Sequence, residues 1–269
     1  MTKPRSYQTE AIIIRKIKLG EADRILTLYT PRLGKIRAVA KGVRRSRSKM
    51  SGHLELLTHS LISLARGKNL DTVTNTQTIN SFLAVKNDLK LTSAALYVME
   101  LVDQFTEDDI EDYPLFQLLR ETLLFFDQAG YNELVLRYFE MHVLDQAGYK
   151  PQLYRCVSCN TELQPTTNSF CASAGGMLCP DCARQYPLRY PLSVNTQKVL
   201  RLLQNEGYQT ASKLKIDQEL ALQLEMVTSN YIRYLLEREI KSAAWLKTMK
   251  EATNDVQIRP HIPTTTTKA

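Results

Sequence analysis

Apolar and polar positions follow two different periods along the chain. In the first 80 residues they alternate. Ala11–Leu19 (AIIIRKIKL) is rich in β-branched residues and alternates at its end. Arg24–Thr30 sets Ile25, Leu26 and Leu28 against Thr27 and Thr30, and Ile36–Lys41 alternates again. His53–Arg66 and Leu70–Ile79 continue the habit, with Gly67–Asn69 as the turn between them. Pro31–Lys35 is another turn, with Pro to fix φ and Gly for a left-handed position. A period of two predicts strands. About five short strands joined by short turns fit a small closed antiparallel barrel, because closure removes sheet edges. Residues 1–80 therefore read as a barrel. Five strands suit an OB-fold, and an SH3-like barrel fits the pattern nearly as well.

From Phe82 the period lengthens. Val98, Leu101, Val102 and Phe105 recur at helical spacing, as do Leu115, Leu119, Leu123 and Phe126, then Leu134, Tyr138 and Met141. Val199, Leu202 and Leu203 form a stripe that stops at Gly207, and Leu220, Leu224, Val227, Tyr231 and Tyr234 form a longer one. These are amphipathic helices. They predict a helical domain over 81–152 and 191–250, so the fold class is α+β with more than one domain. Two helices end in the same word, DQAGY, at Asp127–Tyr131 and Asp145–Tyr149. Gly130 and Gly148 suit helix termination, and two similar helix ends explain the repeat without a duplicated domain. The tail 251–269 has no apolar period and is expected to be disordered. The acidic stretch Glu107–Asp112 reads as a solvated loop that opens the next helix; a docking site for a basic partner is the alternative.

Charge adds to this picture. The net charge is +7, but the first 80 residues hold 16 Lys/Arg against 5 Asp/Glu, a balance of +11. A polyanion is implied, with nucleic acid ahead of an anionic membrane surface. The densest run is Lys41–Lys49 (KGVRRSRSK). A solvated loop, a phosphate-binding surface and a nuclear-localisation signal all fit its composition. The candidate nucleic-acid contacts are Lys35, Arg37, Lys41, Arg44, Arg45, Arg47 and Lys49. Ser46 and Ser48 would keep the loop mobile and can donate to phosphate. Aromatics are sparse here: Tyr7, Tyr29 and Phe82 are the ones in the first 82 residues. Binding should lean on phosphate more than on base stacking, with steep salt dependence. No run is long and apolar enough to span a membrane, and MTKPRSYQTE lacks the apolar core of a secretory signal. A cytosolic protein is expected.

The five cysteines are then thiolate ligands or free thiols rather than disulfides. Cys156 and Cys159 form one CxxC, Cys179 and Cys182 a second. Each puts two thiolates on one tight turn, and the spacing is that of a structural Cys₄ zinc site. Four protein thiolates leave the ion no open position, so one structural zinc is expected, holding an insert over 153–190 that is too poor in apolar residues to fold alone. A redox pair would need one CxxC, and an iron–sulfur cluster is the remaining rival. Cys171, between the pairs, reads as a small, partly buried residue.

No catalytic motif stands out, so no enzymatic role is expected. His53, His59, His142 and His261 are scattered, and neither GxxxxGK[ST] nor GxSxG occurs. His53 and His59 would share one face of a strand.

The order of parts is distinctive. A basic barrel carries LGKIRAVAKGVRRSRSK (Leu33–Lys49), then come helices, then CxxC…F-C-x3-GG…CxxC (Cys156–Cys182), then helices again. This arrangement resembles the RecO family of bacterial recombination mediators over essentially the whole chain. The resemblance implies an N-terminal OB-fold, a helical domain with a zinc-binding insert, and a cytoplasmic, nucleoid-associated protein of DNA repair. It implies binding of single- and double-stranded DNA, strand annealing, and partnership with RecR. It also implies contact with the C-terminal tail of the single-stranded-DNA-binding protein SSB, and help in loading RecA onto SSB-coated DNA. An OB-fold RNA-binding factor with a structural zinc module is the alternative. A zinc-ribbon transcription regulator is weaker, because no recognition helix lies beside the cysteines.

Overall fold

Strand β1 (Ser6–Leu19) is buried on both faces, which accounts for the unbroken apolar run Ala11–Ile14 at its centre. In the computed structural model, which describes residues 5–257, Ala11 and Ile13 point into a barrel while Ile12 and Ile14 point out into the helical core. The barrel is completed by β2 (Asp23–Thr30), β3 (Gly34–Ala40), β4 (His59–Ala65) and β5 (Asp71–Asn80). Its strands close in the order β1-β2-β3-β5-β4. The pairings are antiparallel except one: β3 runs parallel to β5, through Ala38↔Asp71 and Val39↔Thr72. The strand expected to begin at His53 begins at His59 instead. Gly52–Leu54 is a 3-10 helix. The preceding alternation misleads because its leucines serve different cores: Leu54 plugs the barrel, whereas Leu57, at φ +57, packs with the helices.

The helical part begins at Phe82, held at φ +47 with its ring fully buried. There follow α1 (Leu83–Asn87), α2 (Leu89–Phe105), α3 (Tyr113–Ala129) and α4 (Glu133–Gln146). After the cysteine-bearing module come α6 (Val194–Asn205), α7 (Tyr208–Lys213), α8 (Gln218–Leu236) and α9 (Lys241–Gln257). Within the module, β6 (Asn168–Cys171), β7 (Gly176–Leu178) and β8 (Tyr190–Leu192) form a sheet in the order β7-β6-β8, with the one-turn helix α5 (Pro180–Ala183) beside it. Side chains of Asp88, Asp112, Asn132, Ser193 and Asp217 cap the helices that follow them, satisfying amides that helix geometry leaves orphaned.

Both DQAGY words end helices, with Gly130 at φ +83 and Gly148 at φ +82. Their aspartates differ: Asp127 accepts from the Ala84 and Val85 amides at the start of α1, and Asp145 pairs with Lys150 at 2.6 Å. The segment expected to be disordered from Glu251 is helical as far as Gln257; the rest of it lies outside the described residues. Among the described residues, no helix is long and apolar enough to cross a membrane.

Candidate nucleic-acid interface and thiol cluster

The run Lys41–Lys49 sits at one end of the barrel. It is a series of turns, not strand or helix. Val43, 2% exposed, roots it in the barrel core. The Gly42 amide donates to Asp23 at 2.7 Å, the Arg44 amide to the Ala22 carbonyl at 2.9 Å, and an Arg44 guanidinium N–H to the Gly20 carbonyl at 3.0 Å. The basic run is therefore strapped across the β1–β2 turn. That turn is flanked by Lys18 and Arg24, which face one another in register. Lys18, Lys41, Arg45, Arg47 and Lys49 are exposed and form no ion pair among the described residues. Arg24 and Lys16 share Glu55. Burial alone would push that carboxyl up, and its bonds to the two cations hold it below the usual carboxylate value.

Lys35 and Arg37 lie on the outer face of β3 and behave differently from the run. Lys35 is buried, and its ammonium donates to the Asp103 and Thr106 carbonyls at 2.7 and 2.8 Å. It also lies 3.3 Å from the Asp103 carboxylate. A cation on the last carbonyls of α2 opposes the negative end of the helix dipole. Lys35 thus docks barrel to helix and has no charge to offer a phosphate, which corrects its assignment as a nucleic-acid contact. Arg37 reaches Asp108 through Nε at 3.1 Å and Nη2 at 2.5 Å. The basic partner of the acidic stretch is in the same chain.

Two of the three aromatics in this region are not free to stack on bases, and the third is already engaged. Tyr29 and Phe82 are fully buried, and the Tyr29 ring lies 6.3 Å from that of Phe116 on α3. Tyr7 donates to Asp71 at 2.5 Å and carries the Arg66 guanidinium 4.7 Å from its ring centroid. His53 and His59 do not form a pair. His53 is in the 3-10 helix and hydrogen-bonds Thr78 at 2.7 Å, whereas His59 on β4 meets Glu10 at 3.2 Å.

The two CxxC segments converge. The sulfur atoms of Cys156, Cys159, Cys179 and Cys182 all lie within 4.8 Å of one another, with Cys159 and Cys179 3.9 Å apart. A tetrahedral ion with metal–sulfur distances of about 2.3 Å has sulfur–sulfur edges of about 3.8 Å, so the four residues fit such an ion. Each pair sits on a tight turn. The Asn160 amide donates to the Cys156 carbonyl at 2.8 Å with Asn160 at φ +58, and the Ala183 amide to Cys179 at 2.9 Å. Hydrogen bonds with Thr161 draw the Cys159 thiol down to about 6. Cys182 is pushed up to about 12: Ser158 lowers it, but bonds with Cys179 and Cys159 outweigh that. Cys171 stands outside this group. It is fully buried, more so than expected, and meets the Ser173 hydroxyl at 3.2 Å.

The barrel, helices and thiol module match known proteins as a unit. Family models described as Recombination protein O N terminal and Recombination protein O C terminal match residues 1–82 and 86–244. The chain belongs to the RecO family. DNA repair protein RecO of Dehalococcoides mccartyi strain CBDB1 is 46% identical over 252 residues, 94% of this chain and 99% of the relative. That of Roseiflexus sp. strain RS-1 is 40% identical over 93% of this chain and 88% of its own length. That of Desulforamulus reducens is 32% identical over 89% and 93%. The seam between the RecO matches falls where β5 ends and α1 begins.

Sequence reasoning singled out the basic run in this RecO chain but not Lys18, which the β1–β2 pairing brings to the same barrel end. The signal available was strand pairing: residues before and after a hairpin turn share one barrel end.

Proposed function

We propose that this RecO chain is a DNA-binding recombination mediator that works without bond-breaking chemistry. It binds and anneals single-stranded DNA and, with RecR, helps RecA load onto SSB-coated strands, engaging the SSB tail. The barrel acts as an OB-type nucleic-acid module, since the strand order with its parallel β3–β5 pair suits that fold. The four-thiol cluster holds a structural zinc, its Cys₄ donor set leaving no open position.

The observation that carries the reading is the group of unpaired cations at one barrel end, Lys18, Lys41, Arg45, Arg47 and Lys49, beside a turn that orients them. With Tyr29 and Phe82 buried and Tyr7 already carrying Arg66, affinity should come chiefly from phosphates, whose neutralisation releases counterions. Replacing Arg44, Arg45 and Arg47 together by Ala is expected to weaken binding to a labelled oligonucleotide. The log–log salt slope for single strands should flatten by about 2, at roughly 0.7 per lost contact. The same variant should anneal SSB-coated complementary strands more slowly than the parent protein. An unchanged slope and annealing rate would remove this end of the barrel from the site. Tighter binding to RNA than to DNA would favour the RNA-binding alternative.

A further inference from the structure

The acidic loop between α2 and α3 lies on the barrel, not in solvent alone. The Asp109 amide donates to the Lys35 carbonyl at 2.9 Å. Gly34 lies so close to the loop that a side-chain carbon there would fall 1.8 Å from the Ile110 carbonyl oxygen. These backbone contacts, with Lys35 buried beneath them, present the Asp108 carboxylate to the outer face of β3. There a single oxygen of Asp108 accepts from two nitrogens of Arg37.

The pair has two unlike halves of support. Lys35 is enclosed, bonded to helix carbonyls and 3.6 Å from the other oxygen of Asp108, so it is a fixed anchor for that carboxylate. Arg37 and Asp108 remain 58% and 38% exposed, so water and other anions reach them. Among the described residues, the Arg37 side chain has no other hydrogen-bonding partner. A guanidinium takes a carboxylate and a phosphate through the same fork of N–H groups, and an exposed ion pair is weak enough to exchange. Glu107, Asp109 and Glu111 are exposed on the same loop, where they repel a strand approaching along β2 and β3.

We propose that Asp108 is a built-in competitor for nucleic acid: it occupies Arg37 and closes the β2–β3 side of the barrel until a backbone phosphate takes its place. The inference rests on the DNA-binding reading above. It divides the barrel's cations into an open set at the Lys41–Lys49 end and a guarded one at Arg37. The open set meets the strand first, and the guarded one adds a contact only where a phosphate is held long enough to displace Asp108.

The test is a double-mutant cycle read by anisotropy of a labelled oligothymidine across a salt series. Asp108→Asn is expected to tighten binding about three- to fivefold, the scale of one surface ion pair. It should also steepen the salt slope by about 0.7, one phosphate contact on a single strand. In an Arg37→Ala background the same substitution should change neither quantity, and Glu111→Gln should change them less than Asp108→Asn does. Should the asparagine variant melt early, Asp108→Ser repeats the measurement, since it also removes the charge from Arg37. A gain that persists without Arg37, or no gain at all in a protein that binds DNA, overturns the competitor. A parent protein that binds no oligonucleotide at low salt sinks the DNA-binding reading and this inference with it.

Discussion

At the scale of single residues, the same charge does different work depending on what surrounds it. Lys35 and Arg45 are ten residues apart on one basic stretch, but one caps a helix and the other faces water. Composition gives both the same value; only the packing of α2 against β3 separates them, and no local pattern encodes that. His59 shows a second effect of burial. It sits against the Phe116 ring, 6.0 Å between centroids, and its imidazole is held below the ordinary histidine value. Burial causes the shift, and Glu10 opposes it without prevailing. His142 is lowered by burial as well. As pH falls past about 6.5, the unfolded chain takes up these protons before the folded one does. Stability is thus complete above that pH and is lost as pH falls toward the folded values. Urea midpoints should be lower at pH 5.5 than at pH 7.5, and His59→Gln should show a smaller drop than the parent. An equal drop in the two proteins would remove His59 as a cause.

At the scale of elements, what was legible from sequence depended on whether an element answers to one environment. Helices α3 and α8 each bury one stripe, while α2 and α4 bury residues well beyond theirs; the apolar stripes of all four were readable, as were the glycines that end α3 and α4. The thiol cluster was readable because metal geometry dictates spacing locally. The segment His53–Thr58 was not, because its alternating leucines divide between two cores. The thiol module itself is less self-contained than its low apolar content suggests. Phe170, Met177, Leu178 and Leu192 belong to the helical core, and the Phe170 ring meets Tyr231 of α8 edge-on at 5.4 Å. The ion should therefore order the two cysteine turns, while the sheet behind them is held by the helices. Purified protein is expected to contain about one zinc per chain, set by one Cys₄ site, and Cys179→Ala to lose it. Removal should lower the melting temperature and speed proteolysis near Cys159, with most helical dichroism at 222 nm retained. Complete loss of that signal would show the metal supporting the whole domain, and a zinc-free protein with unchanged melting would refute the site.

At the scale of the molecule, the barrel and the helices cannot be separated along the boundary that their periodicities suggest. Ile12, Ile14 and Tyr29 are barrel residues by sequence and strand, yet they belong to the same apolar cluster as Val98, Leu101 and Phe116. Lys35 on the helix carbonyls and the Asp109–Lys35 backbone bond tie the two parts further. A barrel mounted this way shares its apolar core with α2 and α3 and is held against them. The coupling can be measured. Ile12→Ala removes methyl groups from a fully buried position, at a cost of about 2–5 kcal/mol. In two independent domains, a substitution in a barrel strand would leave the helical transition where it was. Here the dichroism transition at 222 nm, which reports the helices, should shift to lower denaturant along with exchange of the strand amides. Ile13→Ala, one residue away but facing the barrel interior, should disturb the strand amides more than the helix–barrel junction. The two variants together separate a shared core from a merely adjacent one: coincident shifts for Ile12→Ala require the shared core, and an unmoved helical transition would rule it out.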